Sequence, residues 1–226
     1  WQDVAVKRIF DIFFSLIAIL FLCPLFFFII LLLKFSGEGE IFFLQNRIGY
    51  GGKNFKIFKF ATMLKNSPNI GTGSITIKND NRVLYFGNFL RKTKINELPQ
   101  LFNILKGDMS FIGPRPLTND TFKFYPEYIK KKILEVKPGL SGLGSIFFRN
   151  EENVLNVTNI NSDFYLSLVR YKGELEIWFV NNNNIKNYFK LIFLTILVVL
   201  FPKKKLLNKF FEDLPTLPIN LKEHML

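Results

Sequence analysis

The chain has 226 residues, and its 30 Lys and Arg against 18 Asp and Glu give a net charge of +12. This length predicts one domain with appendages, and the positive charge indicates an anionic partner such as a membrane surface, a phosphorylated substrate or nucleic acid. The single cysteine, Cys23, and the single histidine, His224, exclude an intramolecular disulfide framework and a metal site built from these two residue types.

A long apolar segment lies near the start of the chain. The 22 residues from Ile12 to Leu33 carry no charge, and as a helix they would extend about 33 Å, enough to cross a bilayer. Pro24 lies in the middle and predicts a kink, because proline removes a backbone hydrogen bond. Basic residues on both flanks, Lys7, Arg8 and Lys34, favour two cytoplasmic ends. The residues alone leave open a kinked spanning helix and a re-entrant helix that returns to the side it entered.

The next segment predicts a β-hairpin. Two runs of strand character, IFFLQNRIG from Ile41 and FKIFKF from Phe55, are joined by a turn at residues 50–53. The glycines of this turn match neither of the common glycine patterns that bind phosphate. Residues 64–80 contain proline and two glycines and predict a flexible loop.

A helix is predicted from Ile95. Asn96 is a favoured N-cap, Glu97 lies in the first turn where the helix dipole stabilises negative charge, and Gly107 suits the C-terminal end. The expected buried stripe recurs at helical spacing and consists of Leu98, Leu101, Phe102 and Leu105. A capped and partly buried helix accounts for this local pattern without catalysis, and the local pattern favours that interpretation.

The rest of the chain predicts a second basic helix at 122–136 and a turn-rich loop at 137–145. A third apolar stretch at 191–201, within a helix expected near 185–201, is too short to span a membrane. It fits either an interfacial helix on an anionic surface or a buried core helix. Residues 202–226 predict a basic, loosely ordered tail.

Three features around residue 96 favour a bound phosphate. The N-terminus of the predicted helix offers unpaired backbone N–H groups to an anion. Arg91 lies just upstream, and Arg115 lies between two prolines in the sequence GPRP. A guanidinium held by such a stiff turn is oriented in advance for bidentate phosphate binding.

The segment KTKINELPQLFNILKGDMSFIGPRP at 92–116 resembles the bacterial sugar transferases, the monotopic phosphoglycosyl transferases. The resemblance covers about residues 5 to 201. Its other motifs occur in order along the chain: KRIFDIFFS at 7–15, FFLQNRIGYGGKNFKIFKFATM at 42–63, DNRVLYFGNFLRKT at 80–93 and KPGLSGLGS at 137–145.

This resemblance implies an enzyme at the cytoplasmic face of the bacterial inner membrane, on its anionic leaflet, anchored by a re-entrant helix kinked at Pro24. It implies transfer of a sugar 1-phosphate from a UDP-sugar to undecaprenyl phosphate with release of UMP, as the first step of capsule, O-antigen or glycoprotein glycan assembly. Mg²⁺ and a covalent phosphosugar on an aspartate are expected, and downstream glycosyltransferases are expected partners.

Transferred residue by residue, the resemblance assigns the nucleophile's position to Asn96 and an assisting carboxylate to Glu97. It also makes Asn96 a weak Mg²⁺ ligand in the position of the family's metal-binding aspartate. The expected phosphate- and substrate-binding residues are Lys59, Arg91, Gln100 and Arg115. The family pattern has Asp-Glu where this chain has Asn96-Glu97, and Arg where it has Ala61. A neutral carboxamide is a poor nucleophile, so an aspartyl intermediate cannot form on Asn96.

The expected fold class is α+β and predominantly helical. Residues 1–36 are expected to form the membrane-inserted helix and residues 37–201 a small catalytic domain with the hairpin and interfacial helices. Two functions remain open, an active transferase and an inactive membrane scaffold that binds a UDP-sugar or partner transferases. Nucleic-acid binding is disfavoured, because the aromatic residues concentrate in apolar runs and do not alternate with Lys and Arg.

Overall fold

The computed structural model describes residues 2–36, 38–70, 80–149, 162–201, 210–211, 213–219 and 221–222. Within these residues the fold is mostly helical, with two small two-stranded sheets, which confirms the predicted class. The elements in chain order are α1 (Gln2–Phe35), β1 (Phe42–Ile48), β2 (Asn54–Phe60), α2 (Tyr85–Lys92), α3 (Gln100–Lys106), β3 (Ser110–Ile112), α4 (Asn119–Lys123), α5 (Glu127–Ile133), β4 (Gly139–Ser141), α6 (Leu143–Phe147), α7 (Ser162–Asn181) and α8 (Ile185–Leu200).

The predicted apolar helix is present as α1, which continues without interruption through Pro24. Among the described residues it is the one helix long and apolar enough to cross a membrane. Its middle exposes large apolar side chains, since Leu20 and Phe21 are 74% and 83% exposed. This exposed surface is unsuited to water and suited to lipid.

The N-terminal end of α1 is attached to the rest of the chain by polar side chains. Lys7 Nζ donates to the carbonyl oxygen of Asn183 at 2.6 Å. The guanidinium of Arg8 donates to the carbonyl oxygens of Ile104 and Leu105, at 2.5 and 2.7 Å. These two carbonyls lie in the last turn of α3, where helix carbonyls lack intrahelical partners.

Asp11 fixes the same end of α1 to two further elements. Its Oδ1 accepts hydrogen bonds from Ser110 Oγ and the backbone N–H of Phe111, each at 3.0 Å, and from Tyr188 Oη at 2.8 Å. Asp11 and Tyr188 are both buried. One carboxylate therefore joins α1, β3 and α8.

The C-terminal half of α1 packs on the same body of the protein. Phe26, Ile29 and Leu33 are buried in a core that also contains Phe60 of β2 and Ile104 of α3. Both ends of α1 therefore contact one domain, and the exposed apolar surface lies between them.

The predicted hairpin is confirmed. Strands β1 and β2 pair antiparallel, with Phe43 opposite Lys59 and Arg47 opposite Phe55. Gly51, in the connecting turn, has a φ of 64°, a backbone conformation that side-chain-bearing residues rarely adopt. Because side chains alternate along a strand, Arg47 and Lys59 point from the same face of the hairpin.

The helix predicted from Ile95 begins later. Residues Ile95–Glu97 form a single 3₁₀ turn, and α3 starts at Gln100 with Pro99 before it. Asn96 is therefore not an N-cap, and the prediction that it caps the helix is wrong. Lys94 has a left-handed φ of 61°, which turns the chain sharply just before this segment.

The predicted stripe of α3 is also partly wrong, since Leu101 is buried but Phe102 is 40% exposed. An amide takes part in the buried face: Asn103 Oδ1 accepts from the backbone N–H of Phe58 at 2.9 Å, and its Nδ2 donates to Lys56 O at 2.8 Å. This side chain fastens α3 to β2, and a purely hydrophobic periodicity does not detect it.

The basic helix predicted at 122–136 is two helices, α4 and α5, with Pro126 preceding α5. Proline disfavours helical geometry in the residue before it, which accounts for the break. The loop predicted at 137–145 contains β4, parallel to β3, and the start of α6. Part of the loop predicted at 64–80 lies outside the described residues.

Helix α8 reconciles the two interpretations of the third apolar stretch. One face is buried in the core through Tyr188, Leu191 and Leu194, whereas Phe193 and Ile196 are more than half exposed. The described part of 202–226 also differs from the loose tail expected. Phe211 and Leu221 are buried in the core that contains α7 and α8.

Candidate active site

Glu97 lies at the centre of a cluster of cations contributed by separate elements. Its Oε1 is 3.4 Å from Lys59 Nζ of β2 and 3.3 Å from Arg115 Nη2, in the GPRP turn after β3. The side chains of Glu97 and Lys59 are largely buried, whereas that of Arg115 is half exposed. The structure thus brings together three of the residues predicted for the site.

The cations keep Glu97 ionised. Burial by itself would raise the pKa of Glu97, but Arg115, Lys59 and Lys94 outweigh burial and hold this pKa at about 2. Burial lowers the pKa of Lys59 to about 8, although the charge of Glu97 opposes the shift. At neutral pH the cluster therefore carries one carboxylate and an excess of positive charge.

Arg47 of β1 belongs to this cluster, and the sequence analysis missed it. Its Nη1 donates to Pro116 O at 3.0 Å and its Nη2 to Gln45 Oε1 at 2.6 Å. Burial, together with the charge of Arg115, lowers the pKa of Arg47 to about 10. The sequence did contain an indication of this position, because the alternation of side chains along the predicted strands places Arg47 and Lys59 on the same face of the hairpin.

These side chains line one cleft in the described part of the structure. Its lining consists of Arg47, Ile57, Lys59, Glu97, Gln100, Arg115, Pro116, Gly139 and Leu140. A neighbouring cleft of about 270 Å³ is mostly apolar and shares Arg115 with the first. Arg115 therefore contributes to the lining of both a cationic cleft and an apolar one.

Gln100, one of the predicted substrate-binding residues, lines the cationic cleft and is almost completely buried. Arg91 is outside this lining, and its Nη1 lies 3.7 Å from Met63 Sδ. Asn96 adjoins Glu97 and is only 8% exposed, and its Oδ1 is buried without a hydrogen-bond partner in the described part of the chain. A buried oxygen without a partner commonly marks a position where a ligand or water binds, but Asn96 is not among the residues that line the cationic cleft.

Backbone hydrogen bonds with β4 hold the GPRP turn in place. The backbone N–H of Gly113 donates to Ser141 O at 3.0 Å, and that of Gly139 donates to Pro114 O at 2.9 Å. A Cβ at Gly113 would lie 2.4 Å from the carbonyl oxygen of Lys137, so this close approach requires glycine. These contacts with β4 and the residues just before it fix the backbone that carries Arg115.

A buried carboxyl group, also missed by the sequence analysis, supports the same turn. Glu176 of α7 accepts hydrogen bonds from the backbone N–H groups of Arg115 and Gly144. Burial raises the pKa of Glu176 to about 8, although these hydrogen bonds and Lys172 oppose the shift. Glu176 is therefore largely protonated at neutral pH and acts beneath the turn, away from the cleft.

The donor set can be compared with the needs of Mg²⁺. The described residues contain no group of three or more His, Cys, Asp or Glu that could hold a metal ion. Mg²⁺ commonly uses only one or two protein ligands, with substrate phosphates and waters completing its coordination. The carboxylate of Glu97 lines the cleft and fits that limited role, and the adjacent Asn96 has a side-chain oxygen without a hydrogen-bond partner among the described residues.

The described residues thus form a cationic cleft around one ionised carboxylate, and the chain also carries a helix long and apolar enough to cross a membrane. Clustered cations of this kind are typical of sites that bind phosphate groups. The chain belongs to the bacterial sugar transferase family, whose model matches residues 2–202. This membership classes the protein as a transferase enzyme and confirms the resemblance.

Proteins similar in sequence to this chain have names that refer to exopolysaccharide production or to sugar-phosphate transfer onto undecaprenyl phosphate. The chain is 37% identical over 159 residues to "Exopolysaccharide production protein ExoY" of Sinorhizobium fredii, covering 64% of this chain and 70% of that protein. It is 36% identical over 170 residues to "UDP-glucose:undecaprenyl-phosphate glucose-1-phosphate transferase" of Xanthomonas campestris, covering 74% and 35%. It is 32% identical over 208 residues to "Undecaprenyl-phosphate galactose phosphotransferase" of Salmonella typhimurium, covering 86% and 40%. The chain thus spans well under half of the two longer relatives.

Proposed function

We propose that this protein transfers a sugar 1-phosphate from a UDP-sugar to undecaprenyl phosphate, releasing UMP at the start of polysaccharide assembly. The observation that carries the proposal is the cleft in which Lys59, Arg115 and Arg47 surround Glu97. A cluster of cations suits a diphosphate, whose charges need several donors at once. The names of the relatives from Xanthomonas and Salmonella support the lipid acceptor.

The transfer replaces one phosphorus–oxygen bond by another. An oxygen of the lipid phosphate forms a bond to the β-phosphorus, the bond from that phosphorus to the bridging oxygen breaks, and UMP leaves with the electron pair. Arg115 and Lys59 bind the non-bridging oxygens and stabilise the charge that develops on them. Their contacts with Glu97 hold both cations in position before the substrate arrives.

The residue at position 96 determines whether this chain can use a covalent intermediate or requires direct attack by the lipid phosphate. A carboxamide does not form the acyl phosphate that an aspartate would form, so no covalent intermediate arises at residue 96. Glu97 is also a weak nucleophile, because its Oε1 is bound by two cations and its pKa is about 2. Direct attack by the lipid phosphate is the route that these residues favour.

Mg²⁺ is part of the proposal as a bound cofactor. Glu97 and Asn96 would hold the ion, which when bound neutralises charge on the diphosphate. Asn96 would contribute a neutral oxygen, which is a weaker ligand than a carboxylate, so Glu97 would be the principal protein ligand.

We also propose that α1 is re-entrant at the cytoplasmic face of the inner membrane. Lys7 and Arg8 at one end, and Leu33 at the other, all contact the same domain. If α1 crossed the bilayer, about 30 Å of hydrocarbon would separate its two ends. A domain at one face could then contact only one of them. Contacts at both ends therefore support return to one face, with the exposed middle of α1 immersed in lipid.

A second function is supported by Asn96 itself. A site that retains its cations but lacks the nucleophile's carboxylate can bind a UDP-sugar without turning it over. Under this alternative the protein is a membrane scaffold for partner transferases.

The test is UMP release by the full chain in lipid nanodiscs, measured with a panel of UDP-sugars, Mg²⁺ and undecaprenyl phosphate. Lipid-dependent UMP release with at least one donor supports the transferase. Donor binding without UMP release supports the scaffold, and absence of both binding and release contradicts both functions.

A further inference from the structure

Arg47 is a largely buried cation without an anionic partner in the described part of the chain. Two of its nitrogens have neutral acceptors, the oxygens of Pro116 and Gln45. Glu97 influences Arg47 electrostatically but forms its ion pairs with Lys59 and Arg115. A buried guanidinium is ordinarily paired with a carboxylate or a phosphate, and Arg47 lacks such a counterion among the described residues.

The Nε of Arg47 supplies a second, independent observation. This atom is buried and has no hydrogen-bond partner among the described residues. An unsatisfied buried donor is unfavourable, and such groups in native proteins commonly mark a position where a ligand binds. Arg47 is also one of the residues that line the cationic cleft.

We propose that Arg47 binds a phosphoryl oxygen of the substrate through its Nε–H, while its Nη groups remain bound to Pro116 and Gln45. This inference rests on the proposed function, because it assigns a further substrate-binding residue to the same cleft. The two Nη bonds fix the plane of the guanidinium on β1. The remaining N–H edge is then oriented in advance for an acceptor.

The geometry also links Arg47 to Arg115. Arg47 binds the carbonyl oxygen of Pro116, the residue that follows Arg115 in the turn. Arg115 contacts Glu97 on the other side of the cleft. A phosphate between these two arginines would receive charge-assisted hydrogen bonds both from β1 and from the GPRP turn.

The phosphate has two possible sources, the diphosphate of the nucleotide donor and the phosphate of the polyprenyl acceptor. Both carry the non-bridging oxygens that a guanidinium binds. The probes for the experiment are therefore UDP in solution and undecaprenyl phosphate in nanodiscs, used separately with the full chain.

Three variants distinguish a specific hydrogen bond from the Nε–H of Arg47 from a non-specific effect of positive charge. Arg47→Lys keeps the positive charge but removes Nε–H, and Arg47→Gln removes both. Lys56→Gln is the matched control, because Lys56 is exposed on the opposite face of the same hairpin. We expect both Arg47 variants to weaken binding of the relevant probe by about tenfold or more, and Lys56→Gln to leave it within about twofold.

A spectroscopic readout excludes a purely structural effect through the Pro116 contact. In protein labelled with ¹⁵N-arginine, the Nε–H resonance of Arg47 is assigned by its loss in Arg47→Lys. We expect this resonance to shift on saturation with UDP if the donor is the source, and with undecaprenyl phosphate if the acceptor is the source.

The outcomes distinguish this inference from the proposed function. Binding of UDP or undecaprenyl phosphate with an unmoved Arg47 resonance overturns the role of Arg47 and leaves the proposed function intact. Wild-type affinity in Arg47→Lys overturns it equally. Failure of the unsubstituted chain to bind either probe contradicts both.

Discussion

Replacement of Asn96 by Asp restores a carboxylate at the position that the family resemblance assigns to the nucleophile. The side chains of Asn and Asp have nearly the same shape, and Asn96 Oδ1 has no hydrogen-bond partner to lose among the described residues. The substitution should therefore preserve the fold. Burial raises the pKa of the new carboxyl group and the neighbouring charge of Glu97 raises it further, while the surrounding cations oppose both effects.

The stability cost follows from this environment. Asn96 is 8% exposed, so the variant buries one additional charge. We expect a loss of about 1–3 kcal/mol, because the cations of the cleft compensate most of the desolvation. The expected gain in turnover is larger. Loss of a nucleophile can lower kcat by about 10⁶ in a covalent enzyme, so we expect Asn96→Asp to raise turnover by at least about 10³, or about 4 kcal/mol of transition-state stabilisation.

The assay combines steady-state UMP release with intact-protein mass spectrometry. With UDP-sugar and no lipid acceptor, the Asn96→Asp protein should gain the mass of one phosphosugar, and the unsubstituted protein should not. Asn96→Ser is a control that keeps a small polar residue without a carboxylate and should form no aspartyl adduct. Turnover by the unsubstituted chain that equals or exceeds that of Asn96→Asp would refute the reasoning, and Glu97→Gln would then show whether Glu97 is the essential carboxylate.

Four further predictions test separate parts of the account. Arg115→Lys keeps the positive charge but loses the planar guanidinium, so its affinity for UDP, measured by calorimetry, should fall nearly as far as that of Arg115→Ala. Wild-type affinity in Arg115→Lys would show that Arg115 acts only through its positive charge. Because the pKa of Lys59 is about 8, UDP affinity should decline above about pH 8, and Lys59→Arg should retain it at pH 9; a flat profile in both proteins would contradict the protonated-lysine role. The native pKa of Glu176, about 8, lies above its ordinary value, so the native state binds the extra proton and stability falls as pH rises from about 4.5 through 8. Glu176→Gln should remove this loss and melt higher at pH 9, and an unchanged melting curve would contradict the buried-acid assignment. Cysteines at Asp3 and Ser36 should both resist labelling from outside intact cells, whereas labelling of only one would establish a spanning helix.

The sequence allowed prediction of features that depend on neighbouring residues. The apolar run of α1 and the alternating hairpin carry their periodicity locally, and the structure contains both. The predicted site residues Lys59, Gln100 and Arg115, which the family motifs assigned to one expected site, line the same cleft as Glu97.

Features that depend on distant contacts were not predictable in this way. Arg47 binds Pro116, which is 69 residues away in sequence, and only the packing of the hairpin on the GPRP turn brings them together. Glu176 lies in a helix whose pattern gives no indication that its carboxyl group supports Arg115. The local rule for N-caps failed at Asn96, because the 3₁₀ turn delays the start of α3.

The most direct test of the central claim follows the β-phosphorus of the donor. UDP-sugar labelled with ³²P at the β-position is incubated with the protein and undecaprenyl phosphate in nanodiscs, and the products are partitioned between water and organic solvent. Sugar-phosphate transfer predicts that the label enters the organic phase with the lipid while uridine remains in water as UMP, slowly with the unsubstituted chain and rapidly with Asn96→Asp. Label that stays in the aqueous phase as UDP, while the sugar alone reaches the lipid, would contradict the account.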